Sequence, residues 1–147
     1  MTKIPEVQPD PNRVLVLVDF SEPSRKALLD AAKLAKDIGG PLQVLHVIHD
    51  PTDSPGYYSQ TGTKTLSRLE DAAARMMDEF LEATDSAGVE ETLENAETTL
   101  LIGTPVARIL EYTAKAEPRM VVVADRGRTS LGRLVLGSKA EQVVRHC

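Results

Sequence analysis

Anion binding is the chemistry with the clearest residue pattern in this chain. From Ala124 to Ser138 the sequence runs Ala-Asp-Arg-Gly-Arg-Thr-Ser-Leu-Gly-Arg-Leu-Val-Leu-Gly-Ser, directly after the apolar run Met120-Val121-Val122-Val123. A buried strand, a glycine-bearing loop and a helix continuing through Glu141, Val143 and Val144 would bring backbone N–H groups to phosphate oxygens, with the helix N-terminus adding about half a positive charge. Gly127 and Gly137 permit close approach, Ser138 can donate a hydroxyl, and Arg126, Arg128 and Lys139 can neutralise charge. The same residues also suit a plainer role, in which Gly127 serves a turn and Gly137-Ser138 caps a helix. Two better-known phosphate motifs do not apply. Gly132 to Lys139 reads G-x-x-x-x-G-S-K, with Ser and Lys transposed relative to a P-loop and an apolar Arg-Leu-Val-Leu interior, and no G-x-G-x-x-G occurs.

Asp19 closes the apolar run Val14-Leu15-Val16-Leu17-Val18. A carboxylate there can contact a ligand in a crevice, or it can accept from nearby backbone amides with no ligand present. His46 and His49 do not read as a metal site, because a spacing of three in an extended segment turns them to opposite faces and no third nitrogen or sulfur ligand lies near. No Ser, His and Asp stand in a strand-elbow or triad context, so dedicated catalysis is not expected.

The elements that must position these residues alternate. Val14 to Val18 reads as a strand buried on both faces. Ser21 is a helix N-cap, with Glu22 and Pro23 in the first turn and Ala27, Leu28, Ala31, Leu34, Ala35 and Ile38 at helical spacing until Gly39-Gly40-Pro41. A second strand spans Leu42 to Ile48. The stretch from His49 to Thr65, with Tyr57 and Tyr58 at its centre, reads as a long exposed loop. Leu66, Leu69, Ala73, Met76, Phe80 and Leu81 mark a second helix ending near Gly88, with Met76, Met77 and Phe80 as core. A third strand lies around Thr98 to Ile102. Thr104 and Pro105 then open a third helix whose inner stripe is Ile109, Leu110 and Thr113 or Ala114.

This alternation predicts an α/β domain: a doubly wound, open parallel sheet with helices on both faces. Such sheets bind ligands at the carboxyl ends of the strands where the winding reverses. If strand one borders strand four, that crevice lies between Asp19 and Ala124-Asp125. The Pro-rich residues 1–12 are expected to be a flexible lead, and residues 13–147 the domain.

Composition narrows the function classes. The 147 residues are 41% hydrophobic and 27% charged, a globular balance. No apolar run approaches the roughly 20 residues of a membrane helix, and the N-terminus lacks the order of a signal peptide. Five aromatics and no Trp argue against stacking platforms for single-stranded nucleic acid. Cys147, the only cysteine, suits a reducing cytoplasm. Up to Pro118 there are 11 basic and 20 acidic residues, and from Arg119 onward 6 and 2, so an acidic body repels nucleic acid while a basic end can hold a small polyanion.

Three separated segments, in order, resemble the universal stress proteins. Val18-Asp19-Phe20-Ser21 is similar to the family's first strand end, Leu45-His46-Val47-Ile48 to its second, and Gly127, nine residues, then Gly137-Ser138 to its G-x9-G-[ST] element. The resemblance covers nearly everything from Arg13 to Cys147 and implies a Rossmann-like domain that binds ATP, with or without magnesium, acts in stress responses and forms homodimers. By position, Asp19 and Val47 would border adenine and ribose. Val123 would line the base pocket, Gly127 and Gly137 would bring amides to ribose and phosphates, and Ser138 would contact phosphate.

The chain departs from the family at three places. Ala124 stands where nucleotide-binding members usually have the first glycine of the element, so its methyl is expected to crowd the ligand or to demand a different backbone angle. Asp125-Arg126 replaces the common Ser-His, and the usual fifth strand, often used for dimerisation, is not expected within these residues. The expected function is an adenine-nucleotide-binding cytoplasmic domain whose occupancy biases contacts with an unidentified protein partner. The alternatives are a nucleotide-free dimerising adaptor and a slow ATP phosphohydrolase.

Overall fold

The computed structural model describes residues 4–49, 62–85 and 87–124. Its elements run β1 (Val14–Leu17), α1 (Glu22–Ile38), β2 (Leu42–His49), α2 (Gly62–Ala83), α3 (Glu90–Glu94), β3 (Glu97–Gly103), α4 (Pro105–Ala116) and β4 (Met120–Val122). The four strands form one parallel sheet in the order β3-β2-β1-β4. Parallel strands need covered faces, and β1 is buried at all four positions.

Alternation along the strands sorts the core into two layers. Val14, Val16 and Val18 of β1 and its extension join Leu42 and Val44 of β2 against Ala27, Leu28, Ala31, Ala32 and Ala35 of α1 and Met77 and Phe80 of α2. Leu15, Leu17, Leu45 and Leu101 face the other way, toward Tyr112 and Ala116 of α4. Helices therefore cover both faces, as the alternation of the sequence predicts. The lead, expected to be flexible, sends Ile4, 5% exposed, and the partly buried Val7 into the second layer.

Helix α1 starts at Ser21, whose Oγ accepts from the Ser24 N–H at 3.2 Å, and it ends at Gly39, whose N–H donates to the Ala35 carbonyl at 2.8 Å. Gly40 follows because the chain has no room for a side chain there: an added Cβ would lie 1.9 Å from the Asn12 carbonyl oxygen.

A polar clasp crosses the amino end of the sheet. Arg13, 6% exposed, donates to Gln43 Oε1 at 2.9 Å, to Glu97 Oε2 at 3.1 Å and to the Gln8 carbonyl at 3.2 Å, while Gln43 Nε2 donates to Thr99 Oγ1 at 2.6 Å. Its Nε is buried with no hydrogen-bond partner. Three strands and the lead are thus held by one guanidinium and one amide.

Several expectations are corrected. The loop expected from His49 to Thr65 is shorter at both described ends, because β2 includes His49 and α2 already includes Gly62–Thr65; residues 50–61, with Tyr57 and Tyr58, lie outside the described residues. Leu34 and Met76 are exposed; Met77 and Phe80 are buried as expected, and α1 turns Ala32 inward in place of Leu34, since it presses small residues onto the sheet. The side chain of Leu66 lies outside the described part. In α4 the buried residues are Arg108, Tyr112 and Ala116; Ile109, Leu110 and Thr113 are partly buried, with Ile109 packed on the second layer, and Ala114 is exposed. Helix α3 was not expected: its five residues bury only Leu93, too little for a helical stripe. Among the described residues no helix is long and apolar enough to cross a membrane.

Candidate functional site

The strand order decides where a ligand can enter. From β1 the chain moves to β2 and β3 on one side, and it returns through α4 to β4 on the other. Winding reverses between β1 and β4, which are paired as Val14↔Met120, Leu15↔Val121 and Val16↔Val122. Among the described residues no crossover passes between the carboxyl ends of these two strands, the place where an open parallel sheet offers a crevice. The adjacency that the sequence reading had to assume is present.

Four of the site residues expected from sequence are described, and all four lie at this end. Val123 is level with Leu17 by continuation of the β1–β4 register, and Leu17 pairs with Leu45, so Val47 is level with Asp19. Val47 and Val123 both pack, half-buried, against the second core layer with Leu17. They leave an apolar wall on one face of the sheet. Ala124 follows strand alternation to the opposite face and packs against the first layer, beside α1. Gly127, Arg128, Gly137, Ser138 and Lys139 lie outside the described residues, as do Asp125 and Arg126.

Asp19 is built into the β1–α1 turn. Its Oδ1 accepts from the Ser21 N–H at 3.1 Å and from the Ser21 hydroxyl. Its own N–H donates to Ser24 Oγ at 3.3 Å, and Ser24 Oγ–H donates to the Ser21 carbonyl at 3.0 Å. Both uses weighed for this carboxylate therefore concern the same atom group: Asp19 organises the helix start and stands at the crevice. Ser24, 1% exposed, is the hidden brace of the turn.

Phe20 is the residue that sequence reasoning missed. Its φ of 65° is left-handed, a conformation that a bulky side chain rarely adopts and that recurs at ligand-binding turns. The ring goes to the face opposite Val47. There it packs on His46 with centroids 4.4 Å apart and the rings tilted by 41°, and it meets Phe80 of α2 edge-on at 5.6 Å. His46 Nδ1 lies 2.8 Å from the Val18 carbonyl, which fixes the ring as an Nδ1–H donor. Arg25 completes the stack, its guanidinium carbon 4.8 Å from the Phe80 ring centre. The signal was a single apolar residue between Asp19 and the N-cap Ser21, a place where a turn usually carries small or polar residues.

His46 is thus a packing and hydrogen-bonding residue, and His49 projects from the other face of β2. Among the described residues no group of three or more His, Cys, Asp or Glu is placed to hold a metal. At the far edge, Gly103 ends β3 with φ of 145°, and an added Cβ would sit 2.7 Å from Arg108 Nε. The buried Arg108 side chain lies over that backbone and its NH1 donates to Glu111 at 2.9 Å.

The sequence profile described as the Universal stress protein family matches residues 11–147. Universal stress protein YxiE of Bacillus subtilis is 29% identical over 143 residues, with 90% of each chain covered. Universal stress protein UspA from Lactobacillus plantarum superposes with a TM-score of 0.72 at 23% identity, covering 92% of this chain and 91% of that one. A universal stress protein solved in complex with cAMP superposes with a TM-score of 0.54 at 19% identity, covering 91% and 88%. With the profile matched over nearly its whole length and a doubly wound sheet reversing between β1 and β4, the chain belongs to the universal stress protein family.

Proposed function

We propose that the chain binds an adenine nucleotide, with ATP as the first candidate, in the crevice between the carboxyl ends of β1 and β4. The observation that carries this reading is the convergence of Asp19, Val47 and Val123 at the one point where the winding reverses. A half-buried valine wall beside a carboxylate suits a flat base joined to a hydroxylated sugar. The glycine and serine segment leaving β4 supplies the phosphate chemistry in sequence, through Gly127, Gly137 and Ser138, with Arg128 and Lys139 as counter-charges and magnesium as a further one. A family member solved with cAMP, itself an adenine nucleotide, supports the choice of base.

In this reading occupancy biases contacts with a protein partner in a cytoplasmic stress response, and the working form is a homodimer. A second reading, a nucleotide-free adaptor, is favoured by one observation: the Asp19 carboxylate already accepts twice from Ser21, so the turn does not need a ligand to be satisfied. Slow ATP hydrolysis is a separate question, answered by time-resolved phosphate release. Mass spectrometry of ligand released from freshly purified protein, with calorimetry of ATP on the wild type and on Gly137→Val, tests the main reading. The expected result is an adenine nucleotide in the protein and loss of ATP binding with the fold retained in the variant. Equal affinity in both proteins removes the phosphate site, and no nucleotide with no ATP heat leaves the adaptor.

A further inference from the structure

The β1–α1 turn is anchored on both faces of the sheet at once. On one face stands Asp19, beside Val47 and the crevice. On the other stands Phe20, one residue on, wedged between His46 of β2 and Phe80 of α2. Between strand and helix the chain has little slack. The Val18 N–H donates to the Leu45 carbonyl at 2.9 Å, its carbonyl accepts from His46, and the Asp19 N–H is held by Ser24. Asp19 Oδ1 accepts from both the Ser21 N–H and the Ser21 hydroxyl, so a displacement of the carboxylate that keeps these bonds carries the Asp19–Phe20 backbone with it. Because Phe20 is held at a left-handed φ by its packing, that movement swings the ring against Phe80.

We propose that Phe20 is a positioning residue for Asp19 and that, through the Phe20–Phe80 contact, it joins the crevice to helix α2, so that filling the crevice is felt along α2. This rests on the nucleotide reading above and names how occupancy reaches a distant surface. The route is short and physical: Asp19, the Phe20 backbone, two rings and the α2 segment that contains Phe80. That segment is well seated. Phe80 is 4% exposed, Met77 beside it is 2% exposed, and Thr84 Oγ1 donates to the Phe80 carbonyl at 2.7 Å. On its outer side the same helix presents Met76, 36% exposed, where a change in α2 would be available to another molecule. His46 sets the angle of the relay, because its Nδ1–H fixes the Val18 carbonyl while its ring supports Phe20.

The test is amide hydrogen exchange of the full chain with and without ATP, read by mass spectrometry in residues 18–24 and 69–84, with ATP affinity by calorimetry. In the wild type, ATP slows exchange in both segments. In Phe80→Leu, ATP still slows residues 18–24, the response of residues 69–84 is lost, and affinity weakens by roughly two- to thirtyfold, the span of coupling carried by such contacts. Phe80→Tyr, which keeps the ring, restores both. His46→Ala weakens binding, and His46→Asn, whose amide keeps an N–H donor near the Val18 carbonyl, recovers part of it, which bulk loss of packing would not allow. If ATP protects residues 18–24 of the wild type while 69–84 do not respond, the relay is overturned and the nucleotide reading stands. If ATP gives no heat and no protection anywhere, both fall together. The wild-type comparison decides the matter even where Phe80→Leu does not fold.

Discussion

Ser24→Ala removes the brace of the Asp19 turn and nothing else of comparable size. Ser24 Oγ accepts from the Asp19 N–H at 3.3 Å and donates to the Ser21 carbonyl at 3.0 Å, and the residue itself is 1% exposed. Each of these bonds is worth about 1 kcal/mol net, more where a buried donor is left without a partner. Alanine returns about 0.5 kcal/mol through its better helix propensity. The expected loss is about 1.5 kcal/mol, a fall in melting temperature of about 4 °C for a chain of this size. In urea, with a slope of about 1.5 kcal/mol/M, the midpoint should drop by about 1 M at constant slope. Equilibrium unfolding without ligand, followed by circular dichroism, measures this directly. A midpoint shift below about 0.3 M, equivalent to less than about 0.5 kcal/mol, would refute the argument that Ser24 holds the turn.

Two further substitutions probe the walls of the fold. Gly40→Ala puts a methyl where the Asn12 carbonyl oxygen lies 1.9 Å away, a backbone clash that no side-chain rotation relieves, so stability should fall by more than about 2 kcal/mol; wild-type stability by chemical denaturation would show the contact to be absent. Ala124→Gly removes a half-buried methyl that packs on the α1 side of the sheet, away from Val47 and Val123. Stability should fall by about 1 kcal/mol through lost burial and a freer unfolded chain, while ATP affinity changes less than about twofold; a tenfold gain by calorimetry would place that methyl in the ligand's path after all.

What could be read in advance follows the strength of the local physics. Val14 to Val18 and Leu42 to Ile48 are short β-rich runs bounded by turn signals, and Ser21 with Pro23 marks a helix start, so the strands were legible, while the crevice rested on an assumed pairing of the first and fourth strands. Leu34 misled because hydrophobicity alone favours it over Ala32, whereas a helix lying on a sheet selects for small size. Arg108 drew no attention in the sequence, because its stem has a seat on Gly103 that only the folded backbone creates. Helix α3 carries no periodic signal, and it is secured from outside its own sequence, where Lys36 Nζ donates to the Gly88 carbonyl at 2.7 Å. Of the candidate site residues, Asp19 was nominated by its place at a strand end, and Val47 and Val123 by the resemblance. Phe20 was passed over because its contacts, with His46 and Phe80, are distant in sequence.

The Arg13 clasp bears on how the chain comes apart. Arg13 meets Glu97 across 84 residues of sequence, and Gln43 meets Thr99 across 56. Closing such loops costs entropy that must be met before any of these bonds can form, so the clasp belongs to the last stage of assembly, after β1 and β2 have paired through α1. Interactions absent from the folding barrier act on the reverse reaction. Strengthening or weakening the clasp should leave the refolding rate nearly unchanged and set the unfolding rate instead, which makes one buried arginine a determinant of how long a folded molecule lasts.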